Sequence, residues 1–294
     1  MVDALFLNIV IGTAMGTLAR VLLLRQDYRQ YPSYPNGLLI QTWTGFIASA
    51  LGAVALPALL TRNFIAVTFL AMAMQQFRGI RQMERTSLHD LEATEFVPRG
   101  AAYIDGIAKT FESRNYLAML VGLITTSTAQ VARIPNDLVR MTAAAALGFA
   151  TFLVLAYVSR GKVVGDIASV SPVKIRFDGS DLYAGDIWLM NVGPARARDF
   201  IEREGIAVLV TPKRPEYEVA IANYGQRQAL AAEAARALGL RRYVITRRDF
   251  GKGTVVVFLV PVKKDPDALV KAVELVPLLE SSKKESSVMK VFAR

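Results

Sequence analysis

Five long apolar segments fill the first 159 residues, and they most constrain what this chain can fold into. A helix needs about 20 mostly apolar residues to cross a bilayer core. Ala4–Leu24, Gly37–Leu60, Asn63–Phe77, Asn115–Ala132 and Met141–Ser159 meet or approach that length. The third is the shortest and relies on the stems of Arg62 and Arg78 reaching the interface. Charge lies elsewhere: Arg160–Arg294 holds 23 of the 35 Lys+Arg and 16 of the 25 Asp+Glu. The chain therefore reads as an α-helical membrane domain of about five transmembrane helices over 1–159, followed by a soluble C-terminal part. Its start, MVDALFLNIV, lacks the basic region of a signal peptide and reads as a retained first span.

Short basic loops stay in the cytoplasm. Arg20, Arg25 and Arg29 mark the end of the first span. Six more cations lie between spans three and four, and Arg160 and Lys162 follow span five, whereas the other side has only Arg62, Arg133 and Arg140. The expected topology is N-terminus outside, C-terminal domain cytoplasmic, in a multi-pass cell-membrane protein. Gln41, Thr44, Gln75, Gln76, Thr125–Thr128 and Gln130 punctuate the spans, either as packing contacts between helices or as the lining of a hydrated cavity. No carboxylate and no inverted repeat is evident in the spans, which disfavours a transporter.

The chain has no cysteine and one histidine, His89. Thiol nucleophiles, disulfides and iron–sulfur clusters are excluded, and neither an HExxH pair nor a three-histidine zinc site can be built. No metal and no cofactor is expected.

The connection 78–114 between spans three and four reads as a long cytoplasmic loop, a length that calls for a function. From Gly100 onward Tyr103, Ile104, Ile107 and Phe111 fall on one helical face and Asp105, Lys109 and Glu112 on the other. That pattern predicts a short amphipathic helix at the membrane surface. Asp105 and Lys109, four apart with the acid first, form an ordinary surface pair on the plainer reading. On the functional one, Asp105 is a general acid or base at the bilayer edge.

The hexapeptide Tyr103-Ile104-Asp105-Gly106-Ile107-Ala108 resembles the signature of the YIEGIA family, membrane proteins of spore-forming bacteria, with Asp105 in place of the signature's Glu. The layout is similar too: several spans, the motif between spans, then a soluble domain. The resemblance implies a membrane-embedded protease of the spore or forespore membrane. It would act on membrane-protein substrates during sporulation and control the germination apparatus. The alternative is a non-catalytic regulator or scaffold that binds a partner protein through its cytoplasmic domain. Replacing Glu by Asp shortens the side chain by a methylene, a shift that catalytic geometry tolerates poorly.

Other catalytic arrangements are fragmentary. Asp166, in VVGD, matches only the last two residues of the GxGD pattern of intramembrane aspartyl proteases. Glu95 and Arg99 have the E-x-x-x-R spacing of glutamate-dependent membrane proteases, but Pro98 interrupts the helix that this spacing needs. Lys109 could act as the base of a Ser/Lys pair.

The remaining sequence predicts a linker at 160–171, a cytoplasmic α+β sandwich at 172–280 with helices on one sheet face, and a mobile polar tail at 281–294. Strands are expected near Val173–Phe177, Leu182–Met190, Ile206–Val210, Arg242–Thr246 and Thr254–Val260. Helices are expected at Asp199–Glu204, at Gln226–Leu238 and after Asp265-Pro266. Gly251-Lys252-Gly253 reads as a hairpin turn rather than a phosphate loop. Arg241, Arg242, Arg247, Arg248, Lys263 and Lys264 point to anionic lipid headgroups rather than to nucleic acid, because the domain follows a membrane part and no aromatic pattern supports base stacking.

Overall fold

The computed structural model describes residues 2–27, 36–132 and 134–283. The chain divides into two compact units, Met1–Arg85 with Ile107–Arg160, and Thr86–Gly106 with Gly161–Arg294.

The first unit is built from α1 (Val2–Asp27), α2 (Asn36–Leu60), α3 (Phe64–Glu92), the greater part of α4 (Ala101–Val131) and α5 (Asp137–Val158). Among the described residues, three stretches are long and apolar enough to cross a membrane: Ala4–Leu24, Gly37–Leu60 and Asp137–Val158. The third and fourth expected spans are helical but less apolar. Charges from Arg78 onward enter α3, and α4 carries Glu112, Arg114 and the polar run Thr125–Gln130.

Without water between them, apolar helices gain from close packing, and small residues permit it. A Cβ on Gly12 would lie 2.8 Å from the Gly122 carbonyl oxygen, one on Gly16 2.4 Å from that of Ala118, and one on Gly52 2.0 Å from that of Met119. Backbones of α1, α2 and α4 thus touch directly. The Ser49 hydroxyl, from α2, donates to the Thr13 carbonyl of α1 at 2.8 Å, and Gly148 of α5 accommodates Thr125 of α4. At the start of α5 the Asn136 side chain accepts from the amides of Leu138 and Val139, a regular N-cap.

The expected 78–114 loop and its short surface helix need correction. α3 runs on to Glu92 and α4 begins at Ala101, so the connection is 93–100 and the motif helix is the first part of a 31-residue helix. The reason is periodic continuity. The face Tyr103, Ile104, Ile107 and Phe111 continues without a breaker into Ala118 and Val121, all buried. Charges within that run find partners, Glu112 with Arg81 at 3.6 Å and Arg114 with the Ser159 hydroxyl at 2.7 Å.

The second unit is an α+β assembly with two antiparallel sheets. Strands β1 (Ala168–Val173), β5 (Ile206–Pro212), β6 (Leu240–Arg248) and β7 (Val255–Pro261) form one sheet in the order β1-β5-β7-β6; β2 (Ile175–Asp178), β3 (Asp181–Ala184) and β4 (Ile187–Asn191) form the other. β7 is buried at every position, as a central strand covered on both faces must be, and this explains its unbroken apolar run. On one side α9 (Tyr224–Leu238) and α10 (Pro266–Glu274) pack against the larger sheet. On the other, Ala207, Val256, Phe258 and Val260 meet Leu182, Ala184 and Leu189 of the smaller sheet and Ile201 of α7 (Ala195–Glu204). α8 (Glu218–Ala222) follows a 3-10 turn at Pro215–Tyr217.

Helix ends follow the expected signals. Asp265 accepts from the Ala268 amide with Pro266 next to it, and α9 stops at Gly239, whose φ is +69°. Four sequence expectations need correction. The strand expected at Val173–Phe177 breaks at Lys174 into strands of two sheets, and Leu182–Met190 is a hairpin turning at Gly185–Asp186. The expected linker 160–171 contains α6 (Val164–Ile167) and most of β1; its Lys162 carbonyl and Val164 amide bond Leu278 and Val276. At the expected tail, Ser282 is buried, its hydroxyl donating to the Leu279 carbonyl at 2.7 Å; residues 284–294 lie outside the described residues.

Candidate functional site

The motif is a buried stripe with a half-buried edge. Tyr103, Ile104, Ile107 and Ala108 are at most 2% exposed, while Asp105, Gly106 and Lys109 are half-buried, the two charged residues one turn apart on α4. Within the second unit the Tyr103 hydroxyl donates to Glu233 of α9 at 2.8 Å, and Glu233 also holds Arg236 at 2.6 Å. Burial, reinforced by the Glu233 carboxylate, pushes the Tyr103 phenol far above its ordinary range, so it serves as a fixed donor.

The turn into α4 is set by Gly100, with φ +88° and its amide donating to Glu92 at 2.7 Å. A Cβ there would lie 2.3 Å from Gln228 Oε1, so only glycine allows α9 so close. Beside it, fully buried Gln226 donates to the Pro277 carbonyl and accepts from the Leu279 amide and the Ser282 hydroxyl, fastening the C-terminal segment to α9. Gly106 is different: a Cβ there would meet nothing nearer than Leu279 at 3.9 Å, an ordinary contact.

Of the other sequence candidates, Glu95 is exposed in the connection between α3 and α4. Asp166 is exposed in α6, its carboxylate accepting from the Val163 amide at 2.9 Å, which is a local capping role.

The helical unit buries Arg20, Gln41 and Asn115, of which the sequence reading singled out only Gln41 as a polar residue within a span. Arg20 is fully buried within the apolar α1; it donates to Gln41 Oε1 of α2, and its guanidinium lies 5.4 Å from the Phe111 ring centroid. Gly45 makes room for its stem, since a Cβ there would be 2.4 Å from Arg20 Cγ. Glu84 of α3 interacts electrostatically with Arg20. On α4, Asn115 lies one turn from Phe111 and one from Ala118, which packs at Gly16, so it shares the face turned to α1. It is fully buried, and its amide atoms have no hydrogen-bond partner among the described residues. A water or a substrate atom would satisfy them. Gly12 and Gly16, a G-x-x-x-G spacing, were the available signal for this close-packed core.

A bundle with membrane-type helices, joined through the motif helix to an α+β unit, defines the class. The chain belongs to the YIEGIA protein family, which it matches over residues 8–289. It is 38% identical over 281 residues to the uncharacterized protein YphB of Bacillus subtilis (strain 168), covering 93% of this chain and 92% of the relative. No solved structure matches it.

Proposed function

We propose that this protein is a multi-pass membrane protease that cleaves other membrane proteins during sporulation and so controls the germination apparatus. The observation that supports the reading is the burial of Arg20, bonded to Gln41, and of Asn115 within the first unit, with Glu84 in electrostatic reach of Arg20. Charges inside spans are costly and are retained where function needs them. Peptide hydrolysis there needs a water, a base and a fixed positive charge. A carboxylate takes a proton from water, the hydroxide adds to the substrate carbonyl, Arg20 offsets the charge on its oxygen, and the proton passes to the departing amine.

Two acids are candidates for the base. Asp105 stands at the acidic position of the family motif, on a rigid helix, with Lys109 one turn on. Glu84 is the acid coupled to Arg20. Ten residues of helix separate Asp105 from Asn115, about 15 Å of rise, so the two acids are alternatives. Co-expression with candidate membrane substrates, followed by blotting for fragments, tests the reading: Asp105→Asn or Glu84→Gln abolishes cleavage while the protein stays folded and inserted. Asp105→Glu, which restores the signature residue, retains some. Normal cleavage by both neutral variants would sink the proteolytic reading.

A second reading, a non-catalytic regulator, is favoured by the burial of four motif residues and by the Tyr103–Glu233 bond, which give the motif a docking role without chemistry. It expects substrate levels unchanged by Asp105→Asn and altered by Tyr103 substitutions. On both readings the three apolar helices, and with them the apolar stretches 64–77 of α3 and 115–131 at the end of α4, lie in the bilayer, and the second unit is cytoplasmic.

A further inference from the structure

β6 and β7 are joined by a turn, 249–254, whose tip carries an aromatic ring with no fold-internal role. The turn itself is well made. The Asp249 amide donates to the Thr254 carbonyl at 2.8 Å, the Asp249 carboxylate accepts from the Gly251 amide at 2.8 Å, and Gly253 has φ +63°. Phe250 stands at its tip, 82% exposed, with the Arg248 guanidinium 4.0 Å above its ring. The fold brings two more such pairs close by, Arg247 over Trp188 at 5.1 Å and Arg227 over Tyr224 at 5.9 Å, with Tyr224 72% exposed. Arg227 is also repelled by Arg248 and Arg247, so three cations crowd one surface. The acids at this edge are partly committed: Asp186 pairs with Lys252 at 3.6 Å, Asp249 holds the turn, and the Glu218 carboxylate packs at Gly253.

We propose that this hairpin tip and its arginine–aromatic surround form a membrane-interface contact. On binding, Phe250 enters the acyl boundary and Arg227 and Arg248 meet anionic phospholipid phosphates. Aromatic side chains flanked by arginines suit the bilayer interface, where ring and cation are both accommodated. A mobile anion would satisfy the cations but not the exposed ring. The length of chain favours lipid over nucleic acid. Only 159–163 separate α5, one of the membrane-type helices, from α6, a reach of about 20 Å, so a bilayer around α5 is always near this unit. The inference rests on the membrane reading above.

The test uses the full chain, which has no native cysteine. Gly251→Cys is a suitable reporter, since a Cβ there meets only Asp249 Oδ1 at 3.5 Å. Labelled with bimane, the protein is reconstituted into nanodiscs of phosphatidylcholine alone or with phosphatidylglycerol. With phosphatidylglycerol the emission shifts to the blue and is quenched by spin-labelled lipid. Phosphatidylcholine alone gives less of both, and Phe250→Ser or Arg248→Glu loses most of the response. A chain that enters the discs but keeps a water-like, unquenched label overturns this inference alone. So does a blue shift that appears only on adding an oligonucleotide or a second protein. A chain that does not enter the discs overturns the membrane reading, and this inference with it.

Discussion

Tyr103 is the motif residue whose role is most open to measurement. Its hydroxyl is buried and bonded to a carboxylate, and bonds of that kind contribute about 1.5–3 kcal/mol. Because Glu233 keeps Arg236 after the loss, Tyr103→Phe should cost about 1–2 kcal/mol, read as a lowered thermal midpoint of the full chain in detergent. An unchanged midpoint would show that the bond is replaced by water. Neither that bond nor the burial of Arg20 could be read from the sequence, because Tyr103 and Glu233 lie 130 positions apart and Arg20 looked like the end of a span.

Helices in this protein differ in how much a methyl group matters. At Gly16 an added Cβ would sit 2.4 Å from a backbone oxygen of α4, which cannot rotate away, whereas at Gly79 of α3 nothing lies within 4 Å. Gly16→Ala should therefore disrupt the bundle, at the upper end of the ~1–3 kcal/mol typical of overpacking. Gly79→Ala should stabilise α3 by up to about 1 kcal/mol through helix propensity alone. Size-exclusion profiles and thermal midpoints in detergent distinguish the two, and equal behaviour would mean that α1, α2 and α4 are not in backbone contact. The same contrast explains what was legible at this scale. Apolar runs and caps located α1, α2, α5, α9 and α10 to within a few residues. The continuity of α4 was missed because charged residues on one face looked like the end of a helix, when the opposite face never lost its period.

For the whole molecule, the excess of Lys and Arg on one side predicts that the α3–α4 connection and the C-terminal unit share the cytoplasm. Cysteines introduced at Ser87 or Ser180 should resist membrane-impermeant reagents in intact cells and react after permeabilisation; labelling from outside would reverse the topology. Segregation of apolar from charged residues by itself separated a helical part from an α+β part but put 86–106, and with them motif residues 103–106, on the helical side, whereas they belong to the second compact unit; the hexapeptide was enough to indicate the family. Both are local signals, written in composition, period and a short string. The tertiary structure alone decided the pairing of seven strands into two sheets, the splitting of two expected strands, the bond between Tyr103 and Glu233, and the polar layer around Arg20. These depend on side chains far apart in sequence meeting across packed elements, and a period along one segment records which face is buried without saying what it is buried against.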